Sequence, residues 1–181
     1  MKNMKNIINS IILVLVVVLQ VSCDEKEKYV QINSSTVEAS GEYYVRYDQE
    51  KLGEDPFGAG FNKIIAFNTS VDNGKEIWIA DEGHFWDYKV KIPVNLDNLT
   101  FGSADTVINV VEDYEIKVIV NNGKIIHNVV ELPSGVKADS IYFELWFEDL
   151  QDVGGGAYFD EDDVFTVAGY RKSGFLEDEP H

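Results

Sequence analysis

Gly41-Glu42-Tyr43-Tyr44-Val45-Arg46-Tyr47-Asp48 decides the fold class. Tyr43, Val45 and Tyr47 fall on one side of a two-residue period and Glu42, Tyr44 and Arg46 on the other, the alternation of a half-buried strand. The same period returns at Ser140 to Phe147, where Ile141, Phe143, Leu145 and Phe147 lie opposite Tyr142, Glu144, Trp146 and Glu148. Little helical periodicity lies between them.

Working outward, alternating runs separated by Asn, Asp and Gly turn signals predict further strands. The Gly- and acid-rich loop Gln49 to Gly60, with Pro56 and Phe57 at its centre, is followed by Phe61 to Thr69 and a turn at Asp72-Asn73-Gly74. Lys75 to Ala80 and His84 to Ile92 then read as a hairpin through Asp81-Glu82-Gly83, with His84, Trp86, Tyr88, Val90 and Ile92 on one face and Phe85, Asp87, Lys89 and Lys91 on the other. After a polar loop around Asn95 to Asn98 come Asp105 to Val111 and Tyr114 to Val120. Asn121-Asn122-Gly123-Lys124 predicts a type I′ hairpin, from which Ile125 to Leu132 returns.

Pro133-Ser134-Gly135 breaks the chain before the strand at Ser140, and an acidic loop with Gly154-Gly155-Gly156 precedes a last strand, Val164 to about Lys172. The charged tail Leu176 to His181 is expected to fray. About nine antiparallel strands with short connections predict an all-β barrel or sandwich, because open sheet edges invite aggregation.

The first 22 residues read differently. Lys2 and Lys5 precede the apolar run Ile11 to Leu19, and small Ser22 ends it, the three parts of a secretory signal. A membrane-spanning helix needs about 20 apolar residues, which this run does not supply. Cys23 then follows as the only cysteine, and a lone cysteine in an exported chain implies a free or modified thiol. The junction Leu19-Gln20-Val21-Ser22-Cys23 resembles the lipobox of bacterial lipoproteins, with Gln20 where a large aliphatic residue is usual. The expectation is a lipoprotein signal peptide at 1–22, a lipidated tether at 23–40 and a barrel domain at 41–179. Asp24 and Glu25 resemble the signal that carries some Gram-negative lipoproteins to the outer face of the outer membrane.

Removing residues 1–22 takes away two lysines and no acids, leaving 32 acids against 13 bases on 159 residues, a formal charge of −19. That balance excludes nucleic acid as a partner, since binding phosphates needs clustered Lys and Arg. It also repels anionic head groups, so the lipid anchor, and not the domain surface, is expected to hold the protein to its membrane.

Gly41-Glu42-Tyr43-Tyr44-Val45, Glu76-Ile77-Trp78-Ile79, Phe85-Trp86 and, above all, Gly169-Tyr170-Arg171-Lys172-Ser173-Gly174-Phe175-Leu176-Glu177-Asp178 resemble the lipid-binding putative hydrolase family of Gram-negative lipoproteins. The resemblance runs from about Gly41 to Glu179. It implies a closed, calycin-like, lipocalin-related barrel with an interior pocket, and brings no defined activity. The calycin pattern places a Gly-x-Trp in the first strand and a basic side chain from the last strand across its ring. Gly41 and Arg171 fill two of these positions and Tyr43 stands for the Trp, which implies that Tyr43 and Arg171 close one end of the barrel.

Barrels of about eight strands hold one small ligand or are filled by side chains. Trp78, Trp86, Tyr88, Phe143 and Leu145 are the candidate lining for a lipid or other hydrophobic molecule, or else they are core. The function expected is therefore lipid binding by an anchored barrel. The alternatives are a filled barrel serving as an interaction or accessory subunit of a surface complex and, third, a hydrolase. Catalysis has little support: no Gly-x-Ser-x-Gly elbow occurs, and His84 and His127 are isolated on predicted strands. No cofactor or metal is expected; Asp160-Glu161-Asp162-Asp163 would suit a hard cation but reads as a solvated loop. Asp105-Thr106-Val107 and Asp139-Ser140-Ile141 match a short O-glycosylation pattern.

Overall fold

The alternating stretch at Gly41 forms strand β1 (Gly41–Gln49) in the computed structural model, which describes Met4 and residues 32–150 and 163–181. Tyr43, Val45 and Tyr47 turn inward and are buried, while Tyr44 and Arg46 lie half-buried on the outer face. β2 (Asn62–Asn68), β3 (Glu76–Ala80), β4 (Lys89–Asn95) and β5 (Thr100–Phe101) follow as a meander. β6 (Val107–Ile108), β7 (Lys117–Glu131), β8 (Lys137–Phe147) and β9 (Phe165–Arg171) complete the sheet.

Each neighbouring pair is antiparallel, β9 returns to β1, and β5 pairs with β7. Eight strands therefore close into a barrel, as expected. β6 is the extra strand. It pairs at Val107↔Val118 on the edge of β7 that β5 uses further along at Thr100↔Lys124. Closure leaves no long free edge among the described strands.

The interior is filled. Tyr43, Tyr47, Tyr88, Phe143, Phe147 and Phe165 are the largest fully buried side chains, packed with Ile64, Ile77, Ile79, Ile92, Ile141 and Leu145. Burying each such side chain contributes about 1.5–3 kcal/mol. Buried hydroxyls call for partners, and of the three tyrosines Tyr43 finds none for its Oη among the described residues. Tyr47 and Tyr88 satisfy each other, their hydroxyls 3.1 Å apart.

Four expectations are corrected. The strand expected from His84 begins at Lys89, and His84 to Tyr88 is a loop, with positive φ at Glu82, Gly83 and Asp87. No hairpin forms at Asn121 to Lys124; β7 runs through, with register shifts between Asn121 and Lys124 and between Ile126 and Val130. A Cβ on Gly123 would sit 2.2 Å from the Phe101 ring, so the glycine admits β5 against β7 and Asn122 takes the positive φ within the strand. The strand expected over Asp105 to Val111 shrinks to β6.

The tail does not fray. Leu176–Asp178 form a 3-10 turn, and the buried Asp178 carboxylate accepts hydrogen bonds from Ser134 N, Ser134 Oγ and Ser173 Oγ. At the other end of the chain, a 3-10 turn at Val37–Ala39 packs on the barrel, with Thr36 and Ala39 fully buried. The compact unit thus spans Ser34–His181.

Candidate functional site: an aromatic mouth

The loop between β3 and β4 is wound around one carboxylate. Asp81 is fully buried. Its Oδ1 accepts hydrogen bonds from the backbone N–H of Gly83 (2.9 Å) and Tyr88 (3.2 Å), and its Oδ2 from Phe85 (2.8 Å) and Trp86 (2.7 Å). A short acidic side chain that satisfies local N–H groups competes with ladder pairing, which is why the alternation at His84 to Tyr88 does not become strand. The Asp81 carbonyl also accepts from His84 Nδ1 at 2.5 Å.

This loop holds Phe85 and Trp86 over one end of the barrel. Phe85 stacks on Tyr47 at 3.9 Å between centroids and meets Phe165 edge-on at 5.5 Å. Trp86 stacks on Phe147 at 4.7 Å. Phe57, from the β1–β2 loop, lies 6.0 Å from both Phe85 and Phe165 and is 48% exposed. Phe57, Ala59, His84, Phe85, Trp86 and Tyr114 line a cavity of about 500 Å³ that opens at this mouth. That volume is in the range that small ligands occupy.

Two polar chains serve the aromatic wall. Trp86 Nε1 donates to Tyr114 Oη at 2.8 Å, and Tyr114 Oη donates to Asp149 Oδ2 at 2.5 Å. Burial, then the hydrogen bond to Asp149, push the Tyr114 phenol well above its usual range, so it remains a donor at neutral pH. Asp149 Oδ1 is buried without a hydrogen-bond partner among the described residues. Below the wall, burial and then the nearby Asp81 charge raise Tyr88; burial and then Tyr88 raise Tyr47. Both phenols therefore stay neutral inside the barrel.

The opposite end carries the pair implied by the calycin pattern. Tyr43 and Arg171 are cross-strand partners, and the guanidinium lies 5.6 Å from the Tyr43 ring centroid. Such a contact contributes on the order of 0.5–2 kcal/mol. Arg171 also donates to the Ser40 carbonyl and pairs with Asp139 at 3.1 Å; Asp139 in turn meets His127 Nδ1 at 3.1 Å. A Cβ on Gly41 would fall 2.7 Å from Arg171 Nε, so the glycine leaves the path across the ring open.

The five candidate lining residues are therefore divided. Tyr88, Phe143 and Leu145 are fully buried in the filled interior, and Phe143 meets Phe101 at 5.8 Å. Trp86 stands at the mouth. Trp78 lies on the outer face, under Lys89 Nζ at 5.5 Å, because Ile77 and Ile79 on either side of it point inward. Sequence reasoning missed Phe57, Phe85 and Tyr114. The signal was an aromatic at the centre of a polar loop, Pro56-Phe57.

As to chemistry, none of the described lining residues is a serine, threonine or cysteine, and His127 is bound to Asp139 at the other end. Among the described residues no cluster of His, Cys, Asp or Glu is arranged to hold a metal. Asp160, Glu161 and Asp162 lie outside the described residues, as does Cys23, while Asp163 pairs with Lys51 at 2.8 Å. Thr106 is exposed, whereas Ser140 is held in β8.

No curated protein matches the chain. A family model does match, over residues 28–176, covering the whole barrel and both ends just described. By that match the chain belongs to the lipid-binding putative hydrolase family.

Proposed function

We propose that this protein is a lipid-anchored envelope protein whose barrel binds a lipid or other hydrophobic small molecule at the aromatic mouth. The observation that carries the reading is the open, ring-walled cavity of about 500 Å³ above an interior already filled by Tyr47, Tyr88, Phe147 and Phe165. The ligand sits at the rim and not in the barrel's centre. Apolar surface covered by an acyl chain contributes about 25 cal/mol per Å², and the Phe57 ring, half exposed without ligand, is the side chain with most to gain.

Solvent extraction of the purified protein followed by mass spectrometry tests this. A co-purifying lipid lost on Phe57→Ala supports the mouth site; a barrel that carries and takes up nothing hydrophobic rules it out.

The anchor is Cys23. Several acyl chains on one cysteine, at about 0.8 kcal/mol per buried methylene, give stable attachment where one chain does not. We place the protein on the outer membrane of a Gram-negative cell, displayed at its surface through Asp24-Glu25. Cys23→Ser should move it from the membrane to the soluble fraction; unchanged membrane association would remove the anchor.

The filled interior favours one second reading, an accessory subunit of a surface complex that contacts its partner through outer apolar side chains such as Ile108, Val110 and Val129. Hydrolysis is the third reading. It would use His84 and water, since the described lining residues offer no side-chain nucleophile of the Ser or Cys kind.

A further inference from the structure

Four loops build the mouth, at residues 49–61, 81–88, 109–116 and 148–150, and all are acidic. Glu54, Glu82, Glu112, Asp113 and Asp149 are among their acids. Glu54 pairs with Arg46 and Glu82 with Lys63, whereas Glu112, Asp113 and Asp149 have no ion-pair partner among the described residues. Lys51, the sole Lys or Arg in these stretches, pairs with Asp163. Behind the aromatic wall, Asp149 backs Tyr114 through one carboxylate oxygen and leaves the other buried without a partner among the described residues. An apolar cavity inside a negative field disfavours a carboxylate or phosphate head group. Phe57, Phe85, Trp86 and Tyr114 line one cavity, with one face of Trp86 covered by Phe147 and one of Phe85 by Tyr47, and an aromatic lining of this kind attracts a cation, a quaternary ammonium above all.

We propose that the mouth selects an amphiphile with a cationic head, an amine or quaternary ammonium, seated among Phe57, Trp86 and Tyr114 with the Asp149 carboxylate behind it. This rests on the hydrophobic-ligand reading above and adds the head group to it. Fatty acids and anionic lipids are excluded as tight ligands. The alkyl part lies along Phe57 and Phe85, and the charge is neutralised by a carboxylate that has no cation beside it among the described residues.

The test compares three ligands of equal chain length, dodecyltrimethylammonium, dodecyl maltoside and dodecanoate, each below its micelle concentration. Binding is read by calorimetry on the protein from residue 24 onward, which retains the whole Ser34–His181 unit, at pH 8. The expected order is trimethylammonium, maltoside, dodecanoate, with roughly tenfold between the first and the last. Asp149→Asn should weaken the trimethylammonium ligand more than the maltoside. Glu112→Gln with Asp113→Asn, on an exposed loop that does not carry the fold, should do so more mildly. Glu131→Gln, at the far end of β7, should leave the order intact and so exclude general attraction to an acidic protein. Equal affinities for all three ligands would overturn the head-group inference and leave the hydrophobic site standing. No binding of any would overturn both.

Discussion

Replacing Asp81 by alanine removes the acceptor for four backbone N–H groups at once. Their fates differ. The Tyr88 N–H belongs to a fully buried residue, and stranding a buried donor costs about 1–3 kcal/mol. Gly83, Phe85 and Trp86 lie in a partly exposed loop, where water replaces the carboxylate and the net loss is nearer 1 kcal/mol each. The sum is about 5 kcal/mol, a large share of the 5–15 kcal/mol by which domains are stable, and at about 3 °C per kcal/mol for this size it lowers Tm by roughly 15 °C. Asp81→Asn keeps one acceptor oxygen and should fall between. Urea melts followed by tryptophan fluorescence measure the loss, and ligand binding at the mouth should weaken in parallel, because Phe85 and Trp86 are placed by the same loop. An Asp81→Ala protein within 1 kcal/mol of the parent, still binding normally, would refute the claim that this carboxylate builds the site.

Other perturbations give separate readings. Tyr47 and Tyr88 have raised folded-state values, so in the unfolded chain they lose their protons first as pH passes about 10. Their stabilisation is complete below that point and declines above it, by about 1.4 kcal/mol per pH unit per hydroxyl; the Tyr47→Phe, Tyr88→Phe double variant should flatten the alkaline limb of a urea-midpoint profile accordingly. In Gly169→Ala the new Cβ would lie 1.9 Å from the Tyr44 carbonyl oxygen, and the resulting strain between β9 and β1 should cost roughly 3 kcal/mol or more. Gly135→Ala, with φ +81° and open space around it, should cost about 1 kcal/mol, the penalty of its backbone alone. For Asp178, burial pushes the carboxyl up, but the hydrogen bonds from Ser173 and Ser134 outweigh it and hold the group low. Its contribution is therefore present above the ordinary carboxylate range and lost as pH falls through the folded value, so Asp178→Ala should lower Tm at pH 7 and blunt the acid transition.

The strands that carry a clean two-residue period were legible. Tyr43, Val45 and Tyr47, and Ile141, Phe143, Leu145 and Phe147, all point where the alternation sends them. What escaped is where side chains overrode the backbone pattern. His84, Trp86 and Tyr88 alternate like a strand, yet the Asp81 carboxylate captures the N–H groups of Phe85, Trp86 and Tyr88 from outside the run. Asn122-Gly123 has the chemistry of a tight turn, and β7 spends it on admitting the Phe101 ring. Trp78 was misplaced by its chemistry alone; the inward Ile77 and Ile79 beside it already fixed its face. Asp178 looked like a solvated tail acid because its partners, Ser134 above all, are distant in sequence. The mouth itself is assembled from Phe57, Phe85, Tyr114 and Phe165 on different segments, and no local pattern brings those together.

On the proposed function, ligand binds at the mouth and not inside the barrel. Titration with an uncharged hydrophobic fluorophore, N-phenyl-1-naphthylamine, tests it most directly in the parent and in Phe57→Ala with Trp86→Ala. Saturable one-to-one binding in the parent, weakened at least roughly tenfold by losing the two rings, is the predicted result. Equal binding by parent and variant, or none by the parent, would contradict it.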